Sequence, residues 1–249
     1  RPSMGKTSLA MNIVEHVAMT AKKPVGVFSL EMTSKQLVTR MLFSQARMNL
    51  RTARDGFLIS SDFPKMTAAA GRLAKAPLYI DDTAGLSILQ LRAKARRMKH
   101  QHDVQLIVVD YLQLLNSTSR RARDNRQQEI TEISSGIKTL AKELNLPVII
   151  LSQLNREMER DKARKPRLSD LRESGAIEQH ADIVGLLYKP ASSEDEEDGL
   201  VEPNEGEPVN LLIAKQRNGP TGDVCMTFFK SYTRFENAAR IRSEDVPME

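Results

Sequence analysis

Arg1-Pro-Ser-Met-Gly-Lys-Thr7 opens the chain. It is the tail of the phosphate-binding loop G-x-x-x-x-G-K-S/T, whose first position falls one residue before Arg1. The chemistry is local. Gly5 lets the backbone approach a phosphate, and the N–H groups of Met4 to Ser8 face an anion at a helix N-terminus, where the dipole is favourable. Lys6 reaches the terminal phosphates, and the Thr7 hydroxyl holds Mg2+. Ser3, Met4, Gly5, Lys6, Thr7 and Ser8 are therefore the expected nucleotide-binding residues. The motif requires a helix behind it, and Lys6 to about Thr20 reads as one. It also implies a strand upstream of Arg1.

Leu106-Ile-Val-Val-Asp110 is the second nucleotide signature, an apolar strand ending in a carboxylate, with Asp110 expected to hold Mg2+ opposite Thr7. Glu31 closes the strand Val25–Leu30. It reads either as the base that orients or deprotonates an attacking water, or as an N-cap for the helix near Thr33. Gln153 follows the strand Val148–Leu151 and reads as a sensor of the γ-phosphate or as a solvated amide. Lys215 and Arg217 end the strand Val209–Ala214 before a Gly-rich turn, and by themselves read as a solvated turn.

Between these motifs helix and strand alternate. Pro24–Ser29 reads as a strand, Ser34–Ala46 as a helix, and helical stretches follow near Leu50–Asp55 and Ser61–Lys75. Leu78–Ile80 is a short strand, and Ser87 caps a helix that buries Ile88, Leu91, Ala95 and Met98. Arg92, Lys94, Arg96, Arg97 and Lys99 line its other face. Val104–Val109 is apolar almost throughout, as a strand covered on both faces must be. Ile130, Ile133, Ile137, Leu140, Ala141 and Leu144 recur at helical spacing. Pro147–Leu151 and Ile183–Tyr188 are further strands, and Val209–Ala214 and Val224–Phe229 form a hairpin about Asn218–Gly222. The pattern predicts an α/β fold, a mostly parallel twisted sheet flanked by helices with a C-terminal antiparallel hairpin. One domain spans 1–236, with an acidic loop at 190–208 and a tail at 237–249.

The 249 residues carry a net charge of +5. Glu194, Asp195, Glu196, Glu197, Asp198, Glu202, Glu205 and Glu207 lie in one segment without Lys or Arg, so the rest is far more basic than the total suggests. Such a body fits a polyanionic partner. Aromatic residues are 4% with no Trp, so contacts to a nucleic acid would rest on phosphates rather than stacked bases. No apolar run approaches the ~20 residues that span a bilayer, and no signal peptide is expected. The single cysteine, Cys225, allows no disulfide within the chain and fits a reducing, cytoplasmic compartment.

Six ordered motifs carry a family resemblance: the phosphate loop, Ser29-Leu-Glu-Met32, Val109-Asp-Tyr-Leu-Gln-Leu114, Ser152-Gln-Leu-Asn-Arg156, Asp170-Leu-Arg-Glu-Ser-Gly175 and Lys215-Gln-Arg-Asn-Gly-Pro220. In this order, over about residues 1–236, the chain resembles the ATPase domain of bacterial replicative helicases of the DnaB type. The resemblance implies a RecA-like P-loop ATPase core in a homohexameric ring around single-stranded DNA, with ATP and Mg2+ between subunits and 5′→3′ movement. It implies that Glu31 is the catalytic glutamate and Gln153 the γ-phosphate sensor. Lys215 and Arg217 then act in trans, Arg217 as an arginine finger. Arg172, Glu173 and Gly175 are implied to line the channel and grip DNA, and Arg120, Arg121, Arg123 and Arg126 to belong to a second channel loop. Primase and a helicase loader are the family's partners, the first through an N-terminal domain that these residues do not include. The related alternative is a RecA-like strand-exchange protein. Ser29-Leu-Glu-Met32 and the Lys215-Gln-Arg217 hairpin speak against it.

Overall fold

The structure is a computed structural model and describes residues 4–118, 125–153, 164–171, 175–190 and 206–238. The phosphate-loop helix α1 (Lys6–Glu15) runs on through a π turn at His16–Thr20. The central elements are β1 (Val25–Ser29), α2 (Ser34–Ala46), α3 (Leu50–Arg54), α4 (Asp62–Leu73), β2 (Leu78–Asp81), α5 (Ile88–His102) and β3 (Leu106–Asp110). α6 (Arg126–Leu144) and β4 (Val148–Ile150) complete this half. The other half holds the short helix α7 (Gly175–His180) and strands β5 (Ile183–Tyr188), β6 (Glu207–Gln216), β7 (Gly222–Phe229) and β8 (Arg234–Asn237).

β1 to β4 form a parallel sheet in the order β2-β1-β3-β4, in which Ser29 lies beside Asp110 and Ile107 beside Val148. Successive side chains of a strand point to opposite faces, and the cores follow that alternation. Phe28, Ile107 and Val109 pack with Leu91, Ile133 and Leu140 of α5 and α6. Val25, Val27, Leu106 and Val108 pack on the other face with Ala10, Val14, Leu37 and Met41 of α1 and α2. Every residue of β1 and β3 is buried. Short polar side chains start the helices: Thr33 with Gln36 and Ser87 with Gln90 form capping boxes, and Asn125 caps α6.

The expected hairpin is the middle of a larger unit. β5 to β8 form a separate four-stranded antiparallel sheet in sequence order. Ile183–Tyr188 joins it by pairing antiparallel with β6. β8 was not anticipated, because Phe235 between Arg234 and Glu236 is too short an alternation to read as a strand. β6 also continues past Ala214 to Gln216, so Lys215 lies within the strand, opposite Val184. Val209, Met226, Phe228 and Phe235 pack against Leu9 and so dock this sheet on α1. The Phe235 N–H donates to Asn12 Oδ1 at 2.8 Å.

Four of the five cations on the basic face of α5 pair within the chain, and Arg97 is exposed. Arg92 and Arg96 both pair with Glu143 of α6, Lys94 with Asp81 and Lys99 with Asp103. Arg96 and Arg92 hold the Glu143 carboxyl down at about 2.

Candidate functional site

In a parallel sheet flanked by helices, ligands gather at the carboxyl ends of the strands. Here that edge brings together α1, the end of β1, the end of β3 and the residues after β4. Gly5 precedes α1 with φ 81, a left-handed conformation. A Cβ there would lie 2.8 Å from the Phe235 ring, so glycine is required both for the turn and for the close approach of the antiparallel sheet. The stacked rings of Phe228 and Phe235, 4.3 Å apart, form the wall behind the loop.

The Thr7 hydroxyl donates to Asp110 Oδ2 at 2.8 Å, across 103 residues of sequence. Asp110 is 4% exposed. Burial raises its carboxyl pKa, a bond from Thr7 opposes that, the nearby Glu31 adds to it, and Lys6 and Arg40 oppose it. Lys6 donates to the Ser152 carbonyl at 3.1 Å. Its ammonium is pulled down by burial and held up by Asp110 and Glu31. These hard oxygen donors on Thr7 and Asp110, beside a lysine, suit Mg2+ and a phosphate.

Glu31 is exposed on this edge. The cap of α2 is Thr33, so the capping role open to Glu31 is taken by another residue. Gln153 lies one residue beyond Ser152 and is exposed, with its backbone bonded to Gln113.

Two residues of this edge were not singled out from the sequence. Gln113 Nε2 donates to Ser152 Oγ at 2.8 Å, and its carbonyl accepts from Arg126 Nη2 at 2.9 Å, so it ties together the ends of β3 and β4 and the start of α6. Arg40 of α2 lines a small recess with Thr7 and Ser8. Its place three residues after Asp110, inside the Val109–Leu114 motif, was the available hint for Gln113; Arg40 carried none.

Lys215 and Arg217 are bound elsewhere. Lys215 Nζ donates to the Glu178 carbonyl, Arg217 Nη2 to the Gln179 carbonyl at 2.6 Å, and Arg217 pairs with Asp182 at 3.3 Å. Gly175 is the first, exposed residue of α7. Arg126 starts α6 and pairs with Glu129. Ser3, Arg120, Arg121, Arg123, Arg172 and Glu173 lie outside the described residues, as does most of the acidic segment.

The sequence profile of the DnaB-like helicase C terminal domain matches residues 1–237. The chain belongs to this family. As a DnaB-like helicase C-terminal domain it is 46% identical over 242 residues to the replicative DNA helicase DnaC of Bacillus subtilis (strain 168), covering 96% of this chain and 51% of that protein. It has the same identity and coverage with the replicative DNA helicase DnaB of Geobacillus stearothermophilus. The chain thus spans about half the length of the curated relatives it matches. A solved ATPase domain superposes with a TM-score of 0.84 at 36% identity, covering 96% of this chain and 82% of that one. A DnaB-like replicative helicase, solved in connection with its interactions with primase, superposes with a TM-score of 0.85 at 35% identity, over 96% of this chain and 56% of its own. The fold of this DnaB-like domain is RecA-like.

Proposed function

We propose that this chain is the ATP-hydrolysing motor of a replicative DNA helicase, a homohexameric ring that moves 5′→3′ on single-stranded DNA and unwinds duplex. The observation that carries this reading is the 2.8 Å bond between Thr7 and Asp110, with Lys6 bonded to Ser152 on the same sheet edge. The names of the relatives support it.

The nucleotide is ATP, its phosphates held by the backbone of residues 3–8 and by Lys6. Bound Mg2+ supplies charge that offsets the phosphates, and Thr7 and Asp110 would hold it. Glu31 orients the attacking water and accepts its proton. Gln153, beside the Ser152 carbonyl that holds Lys6, reports whether the γ-phosphate is present. Lys215 and Arg217 of a neighbouring subunit complete the site, Arg217 stabilising charge on the transferred phosphoryl group. Arg172, Glu173 and Gly175, with Arg120, Arg121, Arg123 and Arg126, contact DNA phosphates. Residues 1–236 act as one domain, in the cytoplasm, with a helicase loader and, through a domain outside these residues, primase as partners.

ATP hydrolysis measured with and without an oligo-dT strand tests this. Stimulation by the oligonucleotide is expected, and Lys6→Ala should abolish turnover. Hydrolysis that survives Lys6→Ala, or ignores DNA, would overturn the reading.

A further inference from the structure

Two cations at the end of β6 are fastened to one short helix. Lys215 Nζ and Arg217 Nη2 donate to the carbonyls of Glu178 and Gln179 in the last turn of α7, where carbonyls have no partner inside the helix. The Arg217 N–H donates to the Asp182 carbonyl at 2.9 Å, and the Arg217 guanidinium meets the Asp182 carboxylate at 3.3 Å. The other oxygen of that carboxylate accepts from Lys138 of α6. One turn earlier on α6, Ser134 Oγ lies 3.1 Å from His180 Nδ1 of α7. Helix α7 is thus clasped between α6 and the end of β6, and it begins at Gly175.

The contacts have a consequence for reach. Arg217 commits donors on both Nη1 and Nη2 to Asp182 and Gln179 of its own chain, and extending the guanidinium toward a phosphate on another subunit draws it off them. The carboxylate of Asp182 is 57% exposed and the guanidinium 47%, so the pair is weak enough to exchange. Lys138 competes with Arg217 for the same carboxylate and limits how tightly it holds.

We propose that Asp182 is a positioning residue for Arg217, holding it against the last turn of α7 until DNA engaged at the Gly175 end of that helix lets it go. This rests on the proposed function, in which Arg217 acts in trans and Gly175 contacts DNA. Asp182 touches neither nucleotide nor DNA in this scheme; it sets how much of the time Arg217 is available. DNA thereby controls hydrolysis through one helix rather than through the phosphate loop.

Two substitutions push the device in opposite directions. Asp182→Asn removes the charge that retains Arg217, so hydrolysis without DNA should rise about threefold, the scale of an exposed ion pair. The DNA-saturated rate should stay, so the stimulation ratio falls by the same factor. Lys138→Gln removes the lysine that shares the Asp182 carboxylate with Arg217 and should lower the DNA-free rate about twofold. Adding Arg217→Ala to Asp182→Asn should erase the gain. If both single variants reduce the DNA-free and DNA-saturated rates alike, or leave their ratio unchanged, the proposal fails. A second readout is independent of turnover. The 15N side-chain signals of Arg217 should change from hindered to freely rotating when oligo-dT is added, and should start less hindered in Asp182→Asn, where only the bond to the Gln179 carbonyl remains. Signals that ignore oligo-dT overturn the proposal even in a chain that hydrolyses nothing. A responsive signal without any hydrolysis overturns the motor reading alone.

Discussion

The two sheets place their functional groups by opposite means. In the parallel sheet, β1 and β3 are buried along their whole length, with helices on both faces. Their ends continue that core, with Thr7 bonded to Asp110 and Lys6 to the Ser152 carbonyl across the edge. In the antiparallel sheet, β5 alternates exposed and buried residues at its start, and β6 ends in cations that hold only carbonyls and a half-exposed carboxylate. Groups that must align with a reacting phosphate gain from a rigid frame. A group that must reach another subunit and withdraw gains from contacts that exchange cheaply. The difference between the sheets is therefore one of anchoring at the functional end, with β3 buried throughout and β6 mostly half-buried.

The largest test removes the mobile partner. Arg217→Ala should bind ATP yet lose hydrolysis by about 10³-fold, the scale of an arginine finger. Mixing it with a Glu31→Ala chain should recover part of the rate, because each chain repairs the other across an interface. Full activity of Arg217→Ala alone would place the chemistry entirely within one subunit.

The difference in burial can be measured by denaturation. Phe28 is fully buried in the parallel half, whereas Val224 on β7 is 46% exposed. In urea titrations Phe28→Ala should cost ~3–5 kcal/mol, and Val224→Ala should stay within ~0.5 kcal/mol of the parent. Equal losses would remove the contrast.

The smallest effect concerns the strain that the rigid site stores. Burial, reinforced by Glu31, keeps the Asp110 carboxyl above the usual range. The folded chain then holds this proton at a pH where the unfolded chain has released it. Stability contributed here is intact in acid and declines as pH rises through the raised pKa. Asp110→Asn lacks that decline. Without nucleotide its melting midpoint should exceed the parent's by about 2–4 °C near neutrality, the response of a chain this size to ~1 kcal/mol. The advantage should disappear below the ordinary carboxylate range. An advantage that persists in acid would assign it to packing instead of charge.

The parallel half was largely legible in the residues themselves. Leu106–Asp110 is apolar enough to be read as a doubly covered strand, and Ile130, Ile133, Ile137 and Leu140 mark one face of α6. Thr33, Ser87 and Asn125 announce helix starts, since capping involves residues two or three apart. These signals are local, and tertiary packing reinforces them. The phosphate-loop motif was enough to nominate Lys6 and Thr7, and residue types at strand ends to nominate Glu31 and Asp110.

Other features exist only in three dimensions. Glu31 had two readings until Thr33 was seen to cap α2. β8 is a strand because Phe235 pairs with Phe228 of β7 and packs over Gly5, which lies at the other end of the chain. Lys215 and Arg217 looked solvated because the carbonyls of Glu178 and Gln179 that they bond are main-chain atoms common to every residue, and Asp182, which Arg217 also meets, is 35 residues away in sequence. Periodicity and motif spacing report what lies within a few residues along the chain. Which backbone oxygen meets which cation is decided by the register of β5 on β6 and by the packing of α7 on α6.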